Sequence, residues 1–102
     1  MPKAAIKLIV AADEPALFFA SIGAAEGYLE WIDVRDGIYP IAYDPDGNVY
    51  RLREDGRNVF VERDTAASLD PEGLNKLLRR VTGVTSNDNE FLLSLCERRV
   101  RS

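Results

Sequence analysis

The segment from residue 37 to residue 63 constrains the fold most. Three runs, "GIYPIAYD" (37–44), "NVYRLR" (48–53) and "NVFVER" (58–63), mix valine, tyrosine, phenylalanine and leucine with polar residues, as strands prefer. "DPDG" (44–47) and "REDG" (53–56) separate them, and aspartate followed by glycine tolerates the backbone angles of a tight turn. The spacing predicts a three-stranded antiparallel meander. Proline cannot donate to a ladder, so Pro40 predicts that the first of these strands is an edge or carries a bulge.

On the N-terminal side, "AAIKLIVA" (4–11) is apolar and partly β-branched and predicts a strand. Asp13, Glu14 and Pro15 break it, and "ALFFA" (16–20) predicts a second short strand. Ser21 then suits the N-cap of a helix reaching about Ile32. Ile22, Ala25, Leu29 and Ile32 fall on one face of that helix, and Trp31 points roughly opposite. Gly23 and Gly27 weaken it by about 1 kcal/mol each relative to alanine, so it depends on packing.

On the C-terminal side, Asp70 is placed to cap a helix that has Pro71 at its first position and ends at Gly83. Leu74, Leu77, Leu78 and Val81 form its apolar stripe. Residues 86–100 predict a second helix, with Asn87 and Glu90 in capping-box spacing and Phe91, Leu92, Leu95 and Cys96 as its apolar face. The fold class is therefore α+β: a mainly antiparallel sheet of N-terminal strands plus the meander, one helix after the first strands, and two C-terminal helices. The expected arrangement is a sandwich with the helices on one sheet face.

The chain has 102 residues, suited to a single domain over 1–102 with one modest core. Apolar residues make up 46% and charged residues 29%, a globular balance. No run approaches the roughly 20 apolar residues of a membrane span. The acidic break at Asp13 and Glu14 keeps the N-terminus from signal-peptide form, and the single cysteine fits a reducing compartment, so a cytoplasmic location is expected. There is no histidine. That removes the usual neutral-pH general base, the commonest zinc ligand, and the serine or cysteine nucleophile systems that depend on an imidazole.

The net charge of −4 is uneven. Residues 1–50 carry three basic and eight acidic side chains, residues 51–102 ten and nine. An acidic front half repels nucleic acid and favours a basic partner, although it also serves solubility alone.

Several side-chain groups invite a functional reading. Asp44, Asp46 and Asn48 alternate as calcium ligands do, but the glycine comes too early for an EF-hand loop and both flanks read as strand. A hairpin turn accounts for them. Glu26 with Glu30 could form an acid–base pair, against which stands an exposed-looking helix face. Cys96 beside Arg98 and Arg99 could be a reactive thiol, against which stands its apolar setting. Arg79, Arg80, Arg98, Arg99 and Arg101 could meet RNA, but no aromatic platform accompanies them. Trp31 amid Glu26, Glu30, Asp33, Asp36 and Asp46 combines an interface anchor with a ring of negative charge, unless a neighbouring loop covers the indole.

The run "LFFASIGAAEGYLEWIDVRDGIYPIAYDPDGNVYRL" (17–52) resembles a pattern of small bacterial immunity proteins encoded beside polymorphic toxins, including those of contact-dependent growth inhibition. The shared features are a short apolar strand, a helix with "AE-x-YLE", then "IDV" (32–34), Gly37, Tyr39 and "AYD-x-DG" (42–47). They span about a third of the chain. Gly27 and Trp31 depart from the pattern. The resemblance implies a non-enzymatic cytoplasmic inhibitor without cofactor or metal. It would act as a monomer or in a 1:1 complex, binding one basic toxin domain, often a nuclease. The acidic face of Glu26, Glu30, Trp31, Asp33, Asp36 and Asp46 is the expected toxin-binding surface. The other expectation is a small regulatory or adaptor domain that self-associates or binds another protein through a strand edge near Pro40 or "ALFFA".

Overall fold

The structure, a computed structural model, describes residues 5–102. Its six strands are β1 (Leu8–Ala11), β2 (Ala16–Phe19), β3 (Ala42–Tyr43), β4 (Val49–Glu54), β5 (Val59–Arg63) and β6 (Val100–Arg101). Four helices accompany them: α1 (Ile22–Tyr28), α2 (Trp31–Arg35), α3 (Pro71–Thr82) and α4 (Asn89–Ser94). The strands form one sheet in the order β5-β4-β3-β1-β2-β6. All neighbours are antiparallel except β2 and β6. The predicted meander is β3-β4-β5, and the class is α+β as the pattern requires. Residue 4, the start of the first expected strand, lies outside the described residues.

The helices do not share one face. Ile9, Ala16, Phe18 and Tyr43 pack with Leu74, Leu77, Leu78, Leu92, Leu93 and Cys96. Leu8, Val10, Leu17 and Phe19 pack on the opposite face with Ala25, Leu29, Val59 and Val61. The reason lies in β1 and β2. Successive side chains of a strand point to opposite faces, and both strands are apolar at every position, so each face needs cover. Phe18 and Phe19 are 1% and 0% exposed, and each contributes about 2–3 kcal/mol by leaving water. The chain thus builds two apolar layers, where a single core was expected.

α3 forms as its sequence dictates. Asp70 caps it by accepting the Gly73 N–H at 3.0 Å, Pro71 opens it, and Gly83 closes it at φ 72°. Leu74, Leu77 and Leu78 are buried, and Val81 packs beside them. On the other face Ser21 caps α1 by accepting the Ala24 N–H at 2.9 Å. However, the helix expected to reach Ile32 stops at Tyr28, and Leu29 and Glu30 are extended before α2 begins. Ala25 and Leu29 are buried, while Ile22 and Ile32 stay 37% and 42% exposed. The break allows Trp31 to turn inward and pack against the Leu8–Phe19 cluster.

Three further expectations shift. β3 is central rather than an edge, because Pro40 lies outside the two paired residues. The "ALFF" strand pairs with β1 along its whole length and with β6 at Phe18 and Phe19, so that half is interior. α4 is capped by Asp88, which accepts the Phe91 N–H at 3.2 Å, in place of Asn87. Its buried residues are Leu92 and Leu93, with Cys96 just beyond, whereas Phe91 and Leu95 are 46% and 47% exposed. The last predicted helical turn is a short 3-10 turn over Glu97–Arg99, which leads into β6.

Among the described residues, no helix is long and apolar enough to cross a membrane.

Candidate functional site: the acidic surface of α2

The "DPDG" loop is a turn held by its own carboxylate. Asp44 Oδ1 accepts the N–H groups of Asp46 and Asn48, both at 3.0 Å, while Oδ2 accepts the Asn48 amide at 2.9 Å and the Tyr50 hydroxyl at 3.4 Å. Gly47 sits at φ 90°, a conformation open to glycine at little cost. A Cβ there would also lie 2.8 Å from the Pro71 backbone. The Gly47 carbonyl accepts the Asp70 N–H at 2.8 Å, so the turn docks on the start of α3. Among the described residues, no three aspartate, glutamate or cysteine side chains converge as metal ligands would.

The six expected surface residues divide. Glu26 turns towards the sheet edge, where its Oε2 accepts the Val61 N–H at 2.8 Å. β5 is an outer strand, and that bond occupies an amide that would otherwise be open to another strand. The pairing of Glu26 with Glu30 therefore does not form. Glu30 is exposed at the N-cap of α2, and its side chain makes no cap bond. Asp46 is exposed in the β3–β4 turn, beside Ser21 and Ile22 at the start of α1. The seven residues of α1 advance about 10 Å, so Asp46 is separated from Glu30 by the length of that helix.

Asp33 and Asp36 remain with Glu30 on α2. Asp36 meets Arg35 at 3.4 Å, with both side chains more than half exposed, so the pair is worth at most about 1 kcal/mol. Arg35 also lies 5.2 Å from the centre of the Trp31 ring, within cation–π reach. Trp31 is half-buried, with one side against the core and the other under Arg35.

Sequence reasoning missed two members of this surface. Tyr39 follows α2 and donates its hydroxyl to Asp33 at 3.5 Å. Burial raises its pKa above the ordinary phenol value, and the negative charges of Asp33 and then Glu14 raise it further. Glu14, in the β1–β2 turn, thus lies within electrostatic reach of the Asp33–Tyr39 pair. The acidic "DE" before Pro15 carried the signal, but only the fold brings it beside α2.

The other candidates resolve into packing and edge features. Cys96 is fully buried; burial pushes its thiol pKa up and Arg99 offsets this in part. Arg79 and Arg80 belong to α3, whereas Arg98, Arg99 and Arg101 gather at the β6 edge. There Arg101 lies 4.4 Å from the centre of the Tyr28 ring, so one of these arginines does have an aromatic partner.

Comparison with protein-family models, with curated proteins and with solved structures finds no match to this chain.

Proposed function

We propose that this chain is an immunity-type inhibitor that neutralises a basic bacterial toxin domain, a nuclease by preference, by binding it through the surface of α2 in the cytoplasm. The observation that carries the reading is the clustering of Glu30, Asp33 and Asp36 on one short helix near Glu14, with Arg35 the one basic side chain on that helix. A nuclease gathers cationic groups to hold phosphate, so a compact anionic surface meets the same groups and speeds encounter. Trp31 adds apolar area beneath the charges, as interface anchors do. Glu26 and Asp46 are left out of the contact, the first because it serves β5 and the second because it lies at the other end of α1. The chain's lack of histidine, and the resemblance over residues 17–52, agree with an inhibitor that works by contact rather than by chemistry.

The experiment is a calorimetric titration into the C-terminal toxin domain encoded immediately upstream. Binding 1:1 at about nanomolar Kd, the order of a stable standard-size interface, is expected. Charge reversal at Glu30 or Asp33 then slows association, with the difference shrinking at high salt. No heat from two folded proteins would instead favour a regulatory or adaptor domain. That rival loses the Phe18–Phe19 half of "ALFF" as a docking edge, because β6 already pairs with it.

A further inference from the structure

We infer that the opposite end of the sheet holds a second binding site, a basic cleft that takes an extended acidic peptide segment as an added strand. β2 has four residues, but β6 pairs with Phe18 and Phe19 alone. The outer edge of β2 at Ala16 and Leu17 therefore has no strand beside it among the described residues. Ala20 donates its N–H to the Arg101 carbonyl at 2.8 Å. By alternation along the strand, the Ala16 amide points the same way, into the gap. The gap is a cleft of about 490 Å³ lined by Arg98, Arg99, Arg101 and Tyr28. None of these arginines has a carboxylate within ion-pair distance among the described residues. Arg101 is held in place by stacking on Tyr28, whose ring packs in turn on Phe19 at 5.7 Å.

Free backbone groups beside unpaired guanidinium groups match one kind of ligand best. A peptide strand satisfies the unpaired Ala16 amide, and carboxylates on its alternate residues reach the arginines. A small anion would use the arginines and leave the β2 edge open. Glu14 closes the turn end of the cleft and sets a direction. Acidic side chains fall towards the arginines and are repelled at Glu14. This site borders the α2 surface at Glu14, but its arginines and its β2 edge are no part of that surface, so it does not depend on the toxin-inhibitor reading.

The test uses the full chain and a fluorescein-labelled octapeptide of alternating valine and glutamate, with its valine–glutamine analogue as control. The acidic peptide is expected to bind, and Glu→Gln replacement in the peptide to weaken it about tenfold or more, the scale of one lost charge-assisted contact. Arg98→Gln with Arg99→Gln, both exposed positions, is expected to weaken it similarly with an unchanged circular dichroism spectrum. In ¹⁵N spectra of the unaltered chain, the Ala16 and Leu17 amides shift on binding, and the Ala16 amide becomes protected from exchange. Equal binding of both peptides, or shifts confined to other surfaces, would overturn the proposal. So would inorganic phosphate or oligouridylate competing at the arginines while the Ala16 amide stays exchangeable, which would mark a plain anion site instead.

Discussion

The two faces of the sheet are covered by helical layers of opposite character. On one face α3 runs as twelve unbroken residues between an aspartate cap and a left-handed glycine, and buries three leucines. On the other, α1 and α2 share twelve residues in pieces of seven and five, with only Ala25 buried inside the helices. The first layer is built to anchor and the second to present. The thin layer carries Glu30, Asp33 and Asp36, and it uses Glu26 to close a sheet edge, a long-range contact that no residue of α3 is needed to make. Surface charge is best tolerated where little apolar area must be buried, so the proposed interaction surface lies on the weaker layer.

The largest effect should come from cutting each layer's buried leucine. Leu74→Ala on α3 is expected to cost about 3–4 kcal/mol in urea unfolding, against about 2 kcal/mol for Leu29→Ala on the α1 side, within the span for buried leucines. Equal costs would break the contrast between the layers. A second comparison uses glycines. A Cβ at Gly73 would press on the Asp70 carboxylate and the Tyr43 hydroxyl, while Gly27 has nothing within 4 Å. Gly73→Ala should therefore destabilise by about 1–2 kcal/mol through overpacking. Gly27→Ala should instead stabilise by about 0.5–1 kcal/mol through helix propensity. The opposite signs can be read from thermal melts of the two variants.

A smaller effect is expected at the sheet edge. Glu26→Ala removes the partner of the Val61 amide and should cost about 1 kcal/mol. Hydrogen exchange at Val61 should quicken more than at the β4–β5 pairs on the inner side of the strand. No change at Val61 would remove Glu26 from its role in guarding the edge.

The smallest effect is an alkaline one shared between the faces. Burial raises the pKa of Tyr39, Tyr43 and Tyr50, with Asp33, Asp70 and Asp44 respectively adding to it. A phenol whose pKa is higher in the folded state gives stability that is whole below the unfolded value of about 10. That stability is lost as pH rises through the folded value. Unfolding free energy should thus decline from about pH 10 upward. Tyr43→Phe should remove the part belonging to the α3 face, and Tyr39→Phe the part belonging to the α2 face.

What could be read from the sequence follows the range of the interactions involved. Asp70, Pro71 and Gly83 mark α3 because a cap bond spans three residues and a left-handed stop needs one. The Asp44–Asn48 turn and the meander are legible for the same reason, since a carboxylate two residues from an amide decides the turn locally. The aspartates and glutamate of α2 were legible as charges, but not as a cluster without Glu26 and Asp46.

The chain's own order of residues therefore determined the α+β class, the meander, the capped helix and the acidic character of the first half. Tertiary structure decided the rest. Continuous apolar runs such as "LIVA" and "ALFF" require cover on both faces but do not say which helix supplies it. An amphipathic stripe such as Ile22, Ala25, Leu29 and Ile32 does not reveal that a break after Tyr28 turns Trp31 inward. Leu93 rather than Leu95 faces the core because α4 begins one residue later than the capping-box spacing suggests and ends in a 3-10 turn. The parallel pairing of Val100 with Phe18 joins residues 82 positions apart, and no local pattern encodes it. Each of these outcomes depends on which distant apolar surface lies opposite, and that is set only when the whole chain has packed.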